Sequence, residues 1–280
     1  MVPGLFCFDV KARVRMDSSS DFFVAQPRPG AALRLLCFPH AGGAPTAFFP
    51  WNALLGPEIE CVCVQYPGRG QRFREEPLTS ISSLVDGIVR RFGDLSSKPF
   101  AFYGHSLGGW VAFEAARRLR RMGMPAPEHL FVGASRPPHL GLAFSPIHML
   151  PEAEFIEALQ ARYGGIPAVI YQDREVLNLF MAAMRADFTA YEQHRLEHEA
   201  PLPVPITAFA GAEDTAVTAA SMEEWAMHTD AEFELKLLPG GHFFPPSSIA
   251  ALIETIRDRV IPRVAAPVVR IDSEGTSACR

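Results

Sequence analysis

The sequence predicts an α/β fold in which a mostly parallel β-sheet is flanked by helices and carries an inserted helical lid. Three observations support this fold class. Short apolar runs alternate with amphipathic helical patterns along most of the chain. The runs are almost continuously apolar, as expected for parallel strands that are covered on both faces. Between about residues 139 and 203 the alternation stops and only helical patterns occur, which is typical of a lid inserted between two strands.

The size and composition favour one domain rather than two. The chain has 280 residues, of which 48% are apolar, and this is enough to bury a single large core. We therefore expect one domain from residue 31 to residue 262, with the lid at about 139–203. Residues 1–30 show no secretory pattern and are expected to be a loose extension, in which Met16 is an alternative start to Met1. Residues 263–280 are expected to be a frayed tail.

Charge and cysteine content argue against several classes of protein. A net charge of −5 argues against a nucleic-acid-binding protein, because contacts to phosphates need a basic excess. The chain has no apolar run of 18 residues, so we expect no membrane span. Three of the five cysteines fall in predicted strands, where we interpret them as small buried apolar residues. We therefore expect a cytoplasmic protein, a monomer, with no metal or dissociable cofactor.

The first βα units are predicted between residues 33 and 92. An apolar strand at 33–38 ends in the glycine-rich turn 39–43, which leads into a helical pattern at 46–55. A second strand is predicted at 61–65, and the segment 81–92 has amphipathic helical spacing. A glycine-rich turn after an early strand presents backbone N–H groups at the carboxyl edge of the sheet.

Two groups of arginines each allow two interpretations. Those of the loop at 66–74 form either a solvated loop face or, beside an active site, a group that binds phosphate. Those near residue 120 end a predicted helix, where they either complement the helix dipole or form a docking patch for an acidic partner near the site. The first group is Arg69, Arg72 and Arg74, and the second is Arg117, Arg118, Arg120 and Arg121.

The most informative stretch is Gly104-His105-Ser106-Leu107-Gly108, which has the form G-x-S-x-G. A buried strand at 99–103 precedes it, and apolar residues at helical spacing follow it. In this context the serine lies on a strained strand-to-helix turn that exposes its hydroxyl group at the edge of the sheet. The alternative is an ordinary glycine-rich turn with a capping serine, but the strand and helix on either side favour a nucleophile.

The second half of the chain contains the lid and the last strands. After a strand at 129–134, helical patterns at 152–163 and 174–188 surround the segment 164–167, whose glycines and proline are expected to act as hinges. Strands at 205–210 and 233–238 and a helix at 249–260 complete the fold. We interpret the apolar side chains of the lid mostly as its core, with some available to line a tunnel: Met149, Leu150, Phe155, Leu159, Leu177, Phe180, Met181 and Met184.

Asp214 and His242 each follow the carboxyl end of a late strand, as Ser106 follows an earlier one. The chain order Ser106, Asp214, His242 is the order found in α/β-hydrolases. His242 would take the proton of Ser106 and return it to the leaving group, while Asp214 would hold the imidazole in the correct tautomer. Two rival acids are Glu213, which should point elsewhere, and Asp187, which belongs to the lid.

Backbone N–H groups are expected to stabilise the oxyanion that forms in this reaction. Leu107, directly after the nucleophile, and Ala41, in the turn after the first predicted strand, are the expected donors. His40 is a weaker candidate for the general base because it belongs to that same donor loop. His105 is expected to be directed away from the site by the turn.

Five motifs together resemble those of the type II thioesterases that accompany polyketide and non-ribosomal peptide synthases. The similarity covers about residues 33 to 260. It implies an α/β-hydrolase fold with a helical lid, and hydrolysis of acyl groups from the phosphopantetheine arm of a carrier protein. It also implies Ser106 as nucleophile, Asp214 as acid and His242 as base. The motifs are Phe38-Pro39-His40-Ala41-Gly42-Gly43, Gln65-Tyr66-Pro67-Gly68-Arg69, Gly104-His105-Ser106-Leu107-Gly108-Gly109, Arg185-Ala186-Asp187-Phe188 and Pro239-Gly240-Gly241-His242-Phe243-Phe244.

Two other functions remain open at this point. A carboxylesterase or lipase could use the same scaffold, because a serine triad does not distinguish oxygen esters from thioesters. A binding protein without catalytic activity could also use it, although such a protein has no need for Ser106, Asp214 and His242 together.

Overall fold

The fold is a seven-stranded sheet with helices on both faces, as a computed structural model shows for residues 22–265 apart from 26, 165–169 and 171. The strand order is β1-β3-β2-β4-β5-β6-β7, and β1 is antiparallel while the other six strands are parallel. The predicted fold class is therefore confirmed. The strands are β1 (Phe23–Ala25), β2 (Leu33–Phe38), β3 (Ile59–Val64), β4 (Phe100–His105), β5 (Leu130–Gly133), β6 (Ile206–Gly211) and β7 (Phe233–Leu238).

Seven α-helices are described, and two of them cover one face of the sheet through regular apolar spacing. Helix α2 buries Ile81, Leu84 and Ile88, and it packs with α3 against one face, whereas α7 covers the other face. The helices are α1 (Trp51–Leu54), α2 (Ile81–Val89), α3 (Leu107–Arg121), α4 (Glu152–Tyr163), α5 (Arg174–Gln193), α6 (Ala219–Glu223) and α7 (Pro246–Ala265). In the described part of the chain, none of the helices is long and apolar enough to cross a membrane.

The parallel register brings four loops to one edge of the sheet. Strands β2, β4, β6 and β7 all run in the same direction, so their carboxyl ends lie side by side. The loops that follow these ends carry Ala41, Ser106, Asp214 and His242 respectively. Residues that are far apart in the chain therefore meet at this edge, which is where doubly covered α/β sheets bind their ligands.

The first thirty residues are not a loose extension throughout, so that prediction was wrong for the part that is described. Residues Phe23–Ala25 form β1, which pairs with β3, and Phe22 is buried. The backbone carbonyl of Phe22 accepts a hydrogen bond of 2.7 Å from the Gln65 N–H group. A strand of three residues is too short to show a periodicity, because its stability comes from pairing with its neighbour. Residues 1–21 lie outside the described residues.

Two predicted helices have different bounds in the structure. The single helix predicted at 46–55 is a 3₁₀ helix at Pro45–Phe48 followed by the short α1, and Pro50, which has no N–H group to continue a helix, lies between them. The closing helix is longer than predicted, since α7 extends to Ala265. Residues 263–265, which were predicted to begin a frayed tail, therefore belong to this helix. Residues 266–280 lie outside the described residues.

The lid contains α4 and α5, which pack together around their own small apolar core. Seven of its eight predicted core residues are buried in this core or packed against it, with Leu150 and Phe180 partly buried. Met149 is the exception, because 83% of its surface is exposed. Gly164 ends α4 at a positive φ of 83°, the left-handed conformation that glycine favours at the end of a helix. The rest of the predicted hinge, 165–167, lies outside the described residues, and the hinge role of this segment stays a prediction.

Candidate active site

Ser106 lies on a strained turn between β4 and α3. Its φ is 53° and its ψ is −119°, a conformation that a non-glycine residue adopts only when the surrounding structure imposes it. The two glycines of the motif allow the close packing beneath it. A Cβ atom at Gly104 would lie 2.2 Å from the Gly108 carbonyl oxygen, and one at Gly108 would lie 2.0 Å from the Phe38 carbonyl oxygen. The turn therefore needs glycine at both positions.

His242 connects Ser106 to Asp214 through two hydrogen bonds. Its Nε2 atom is 3.0 Å from Ser106 Oγ, and its Nδ1 atom is 2.9 Å from Asp214 Oδ2. The backbone N–H groups of Ala216 and Val217 both donate to Asp214 Oδ1 at 2.9 Å. Because a carboxylate can only accept, Nδ1 carries the proton and Nε2 is free to accept one from the Ser106 hydroxyl group.

Contact with His242, rather than burial alone, distinguishes Asp214 from its two rivals. The Asp214 side chain is 1% exposed and that of His242 is 6% exposed, so their hydrogen bond lies out of water. Glu213 is exposed. Asp187 is buried in the lid and pairs with Arg69. The acid that contacts His242 is therefore Asp214, as the chain order predicted, while its catalytic role stays a prediction.

The two expected oxyanion donors lie beside Ser106. Leu107 is the first residue of α3, so its N–H group has no acceptor within the helix and lies at the positive end of the helix dipole. Ala41 lies in a turn that is closed by a 2.9 Å hydrogen bond from Gly43 N to the His40 carbonyl oxygen. Both residues line the same pocket as Ser106 and His242. Their role as donors stays a prediction.

Two further histidines surround the site without contacting the hydroxyl group of Ser106. His105 points away from Ser106, and its Nε2 atom lies 2.9 Å from the backbone carbonyl oxygen of His242. Burial, followed by the nearby His242 and His40, lowers the pKa of His105 well below its usual range. Burial, followed by His242 and Arg69, lowers the pKa of His40 to about 4. Both rings are therefore neutral near pH 7.

His105 also supports the loop that carries His242, a contact that sequence reasoning missed. Its Nδ1 atom lies 3.1 Å from the Tyr103 hydroxyl group, so both ring nitrogens have partners. The ring connects β4 to the backbone of His242. Its place beside Ser106 was the only signal in the sequence, and that signal does not say which loop the ring reaches.

Two spaces of different size meet beside Ala41, which lines both of them. One is a small pocket of about 60 Å³ that Ser106 and His242 also line. The other is a groove of about 790 Å³ that runs past Ala41 and Arg69. Side chains of the lid contribute to both spaces. Those in the small pocket are Leu159, Tyr163, Met184, Phe188 and Tyr191, and those in the groove include Leu179, Phe180, Ala183 and Met184.

The arginines of the loop after β3 are not a solvated face, so that interpretation was wrong for two of the three. Arg69 and Arg72 are each 7% exposed, whereas Arg74 is exposed. The guanidinium group of Arg69 binds both oxygens of Asp187, and that of Arg72 binds Glu75 at 2.6 and 2.8 Å. These carboxylates compensate the buried charges, and Arg69 is not free to bind a phosphate group.

The arginines at the end of α3 do not form a free basic patch beside Ser106. Ser106 lies at the start of this 15-residue helix, so its other end is about 22 Å away. Each arginine has a carboxylate partner. Arg117 pairs with Glu114 and Glu199, Arg118 with Asp86, and Arg120 and Arg121 with Glu199. The hypothesis of a docking patch near the site therefore loses its structural basis.

The described cysteines are free thiols in the core. Cys37, Cys61 and Cys63 are all buried in the strands β2 and β3. Their interpretation as small buried apolar residues is confirmed, while Cys7 and Cys279 lie outside the described residues. Within the described ranges, no group of three or more His, Cys, Asp or Glu side chains is arranged to hold a metal ion.

The family model and the solved structures that the chain matches are those of thioesterases. A family model described as "Thioesterase domain" matches residues 33–260. The chain is 37% identical over 233 residues to the gramicidin S biosynthesis protein GrsT of Aneurinibacillus migulanus, covering 83% of this chain and 91% of that protein. It resembles the solved structure of RedJ, a thioesterase from the prodiginine pathway of Streptomyces coelicolor, with a TM-score of 0.77 and 35% identity over 84% of this chain and 88% of that one. The type II thioesterase BorB from the borrelidin cluster gives a TM-score of 0.76 and 30% identity, over 88% and 98% of the chains.

Proposed function

The chain belongs to the thioesterase domain family and is a thioester hydrolase, and from this premise we propose that it removes acyl groups from the phosphopantetheine arm of carrier proteins. In this proposal it is an editing enzyme that releases wrong or stalled acyl groups from a polyketide, non-ribosomal peptide or fatty-acid synthase. The relatives GrsT, RedJ and BorB are named for biosynthetic pathways or clusters of this kind, which supports the assignment.

The hydrogen bond of 3.0 Å between His242 Nε2 and Ser106 Oγ is the observation that carries the mechanism. His242 takes the hydroxyl proton while Ser106 Oγ attacks the thioester carbonyl carbon. The N–H groups of Ala41 and Leu107 stabilise the resulting oxyanion. When the C–S bond breaks, His242 returns the proton to the departing thiolate, and the acyl group stays on Ser106.

Hydrolysis of the acyl-Ser106 intermediate uses the same groups a second time. His242 takes a proton from a water molecule, whose oxygen attacks the acyl carbonyl carbon, and then returns the proton to Ser106 Oγ. Asp214 stabilises the protonated imidazole in both steps. The acid product leaves and the hydroxyl group of Ser106 is restored.

The two spaces that meet beside Ala41 suit a substrate with two different arms. We assign the acyl group to the small pocket that Ser106 lines, because apolar and aromatic side chains of the lid also line it. We assign the pantetheine arm to the groove, which leads from Ala41 towards the outside of the molecule. A carrier protein would thus remain outside while its arm reaches the serine.

We also propose that the enzyme acts as a monomer in the cytoplasm. The Sγ atoms of Cys37 and Cys61 are 3.7 Å apart and both residues are free thiols, which supports a reducing environment. Size-exclusion chromatography with light scattering tests the oligomeric state.

Mass spectrometry of the protein after exposure to a panel of acyl-carrier substrates tests the proposed function. We expect the acyl mass on the peptide that contains Ser106, and no such adduct in the Ser106→Ala variant. That variant should lose about a million-fold in kcat, because the triad acts as a unit. A Ser106→Ala protein that still hydrolyses acyl-pantetheine at a tenth of the normal rate would remove Ser106 as the nucleophile. Faster turnover of matched oxygen esters than of thioesters would instead favour a carboxylesterase.

A further inference from the structure

The carboxylate of Asp187 joins the lid to two loops at the active site. Asp187 lies on α5 and its side chain is fully buried. Its Oδ1 atom accepts a 2.8 Å hydrogen bond from Arg69 Nη2, and its Oδ2 atom accepts one from Arg69 Nη1. The same Oδ2 atom accepts a 2.7 Å hydrogen bond from the backbone N–H group of Gly42. The proposed mechanism uses none of these contacts.

Gly42 belongs to the turn that contains the proposed oxyanion donor Ala41. The turn runs from His40 to Gly43 and is closed by the hydrogen bond from Gly43 N to the His40 carbonyl oxygen. Gly42, its third residue, has a φ of 71°, as the third residue of a type II turn does. The central peptide of such a turn, here between Ala41 and Gly42, can rotate to give a type I turn.

The Asp187 carboxylate selects one orientation of this peptide. In the observed orientation the Gly42 N–H group donates a charge-assisted hydrogen bond to Oδ2, and bonds of this kind are stronger than those between neutral groups. In the rotated orientation the carbonyl oxygen of Ala41 would turn towards the carboxylate, and two acceptors would face each other without a proton. Arg69 binds both oxygens of the buried carboxylate and so holds it in place.

We propose that Asp187 is a positioning residue for the oxyanion donor. The Ala41 N–H group belongs to the preceding peptide, so Asp187 acts on it only through the turn: by binding the Gly42 N–H group it fixes the conformation and position of the turn that carries the donor. Helix α5 of the lid and the donor loop then act as one unit. This inference rests on the proposed function, because it assumes that Ala41 stabilises the oxyanion formed on attack by Ser106. Asp187 itself touches neither the substrate nor Ser106.

Two matched double variants isolate the hydrogen bond to Gly42. Asp187→Asn with Arg69→Gln and Asp187→Leu with Arg69→Gln both remove the two buried charges, so neither leaves a charge without a partner. The asparagine can still accept from the Gly42 N–H group, whereas the leucine of nearly the same size cannot. The two variants have nearly the same size and no charge at this position, and they differ in the amide group, whose oxygen is the acceptor for Gly42.

Three quantities are measured for each variant: kcat and KM with an acyl-pantetheine thioester, and Ki for an alkyl trifluoromethyl ketone. Ser106 adds to this ketone to form a tetrahedral oxyanion, so Ki reports on the donors directly. Complete reaction with a fluorophosphonate counts the functional sites, and each rate is given per site.

Because losing one oxyanion donor costs about 100- to 1,000-fold, we expect a misplaced donor to cost the leucine variant about 10- to 100-fold in kcat relative to the asparagine variant. Ki should rise by a similar factor while KM stays within about threefold, since the ground state makes little use of the donors.

Equal kcat and Ki per site in the two double variants would overturn the proposal, as would a rise in KM alone. If the leucine variant does not fold, Asp187→Ala with Arg69→Gln takes its place with the same expected outcome. Glu75→Gln, which removes the ion pair with Arg72 in the same loop, serves as the matched control and should change neither kcat nor Ki. Activity that survives in Ser106→Ala would instead contradict the proposed function, and the two failures are thus distinguishable.

Discussion

Backbone groups hold each member of the Ser106, Asp214 and His242 set in place. Ser106 is fixed by the turn between β4 and α3, and its N–H group donates to the Gly133 carbonyl oxygen at 2.8 Å. Two N–H groups of its own loop bind Asp214, and the His105 ring binds the carbonyl group of His242. Because each side chain has its own support, the set is formed before substrate binds and little reorganisation is needed.

At this scale we predict that Asp214→Asn lowers kcat about ten-thousand-fold. The amide cannot stabilise a protonated imidazole, and it favours the tautomer whose Nε2 atom cannot accept the Ser106 proton. Glu213→Gln is the matched control at the neighbouring position, and it should change kcat by less than about threefold because Glu213 is exposed. Steady-state kinetics with one thioester substrate compares the two, and a larger loss for Glu213→Gln would assign the acid to Glu213.

At the scale of elements, the end of α3 is joined to the segment that leads out of the lid. Arg117 is 2% exposed, and its guanidinium group binds Glu114 at 2.6 Å and Glu199 at 2.7 Å. The same group donates to the Glu197 carbonyl oxygen. Arg120 also donates to carbonyl oxygens of this segment, at Ala200 and Pro201. The arginines therefore stabilise the return of the chain from α5 to β6.

We predict that Arg117→Gln lowers the free energy of unfolding by about 3 kcal/mol or more, because it leaves the buried Glu114 carboxylate without its guanidinium partner. Arg121→Gln is the matched control one turn later. Its side chain is 35% exposed, so the loss should be about 1 kcal/mol or less. Urea denaturation measures the free energy of unfolding of both variants. Equal losses would contradict the prediction, because the contacts of Arg117 would then stabilise the fold no more than an ion pair at the surface does.

The Arg121→Gln variant also tests whether the end of α3 recognises a carrier protein. We expect Arg121→Gln to change kcat/KM equally little for an acyl-carrier protein and for a small acyl-pantetheine thioester, because Arg121 is paired and distant from Ser106. A selective loss with the carrier protein that shrinks at high salt would restore the docking hypothesis.

At the scale of the whole molecule, four histidines with lowered pKa values make the fold sensitive to acid. His105 and His129 are buried, and His40 and His228 are half-buried. Burial is the main cause that lowers the pKa of each ring: to about 4 for His40 and His228, to about 3 for His129, and well below the usual range for His105. The charges of Arg263 and Arg259 add to the effect at His129, and Glu234 opposes them. The unfolded chain, whose histidines have a pKa near 6.5, binds protons that the folded chain excludes.

We predict that stability is highest above about pH 6.5 and falls as the pH decreases from there towards about 4. In this window the unfolded state holds more protons, so each histidine contributes a slope of up to about 1.4 kcal/mol per pH unit. His129→Gln should reduce the slope of the unfolding free energy against pH by about the contribution of one histidine. His198→Gln, at an exposed position, should leave this slope unchanged. Unfolding free energies between pH 4 and 8 measure these slopes, and an unchanged slope in His129→Gln would contradict the assignment.

The sequence alone determined the fold class and the three residues that meet at the site, because both depend on local patterns. Apolar runs and helical spacing predicted six of the seven strands and both lid helices, since a doubly covered strand or an amphipathic helix must show its burial in its composition. The order of Ser106, Asp214 and His242 in the chain was sufficient to predict that they lie together. Each of them follows a strand, and parallel strands bring their carboxyl ends to one edge of the sheet.

Only the tertiary structure decided which charges are buried and which loops they join. Arg69 and Asp187 are 118 positions apart, and nothing local to either one reveals the other. The same is true of Arg117 with Glu199, and of β1, whose three residues form a strand only because β3 is beside them. A salt bridge or an edge strand is stable only with the partner that folding brings close. Its stability therefore depends on both partners, and it cannot be predicted from the sequence of either segment alone.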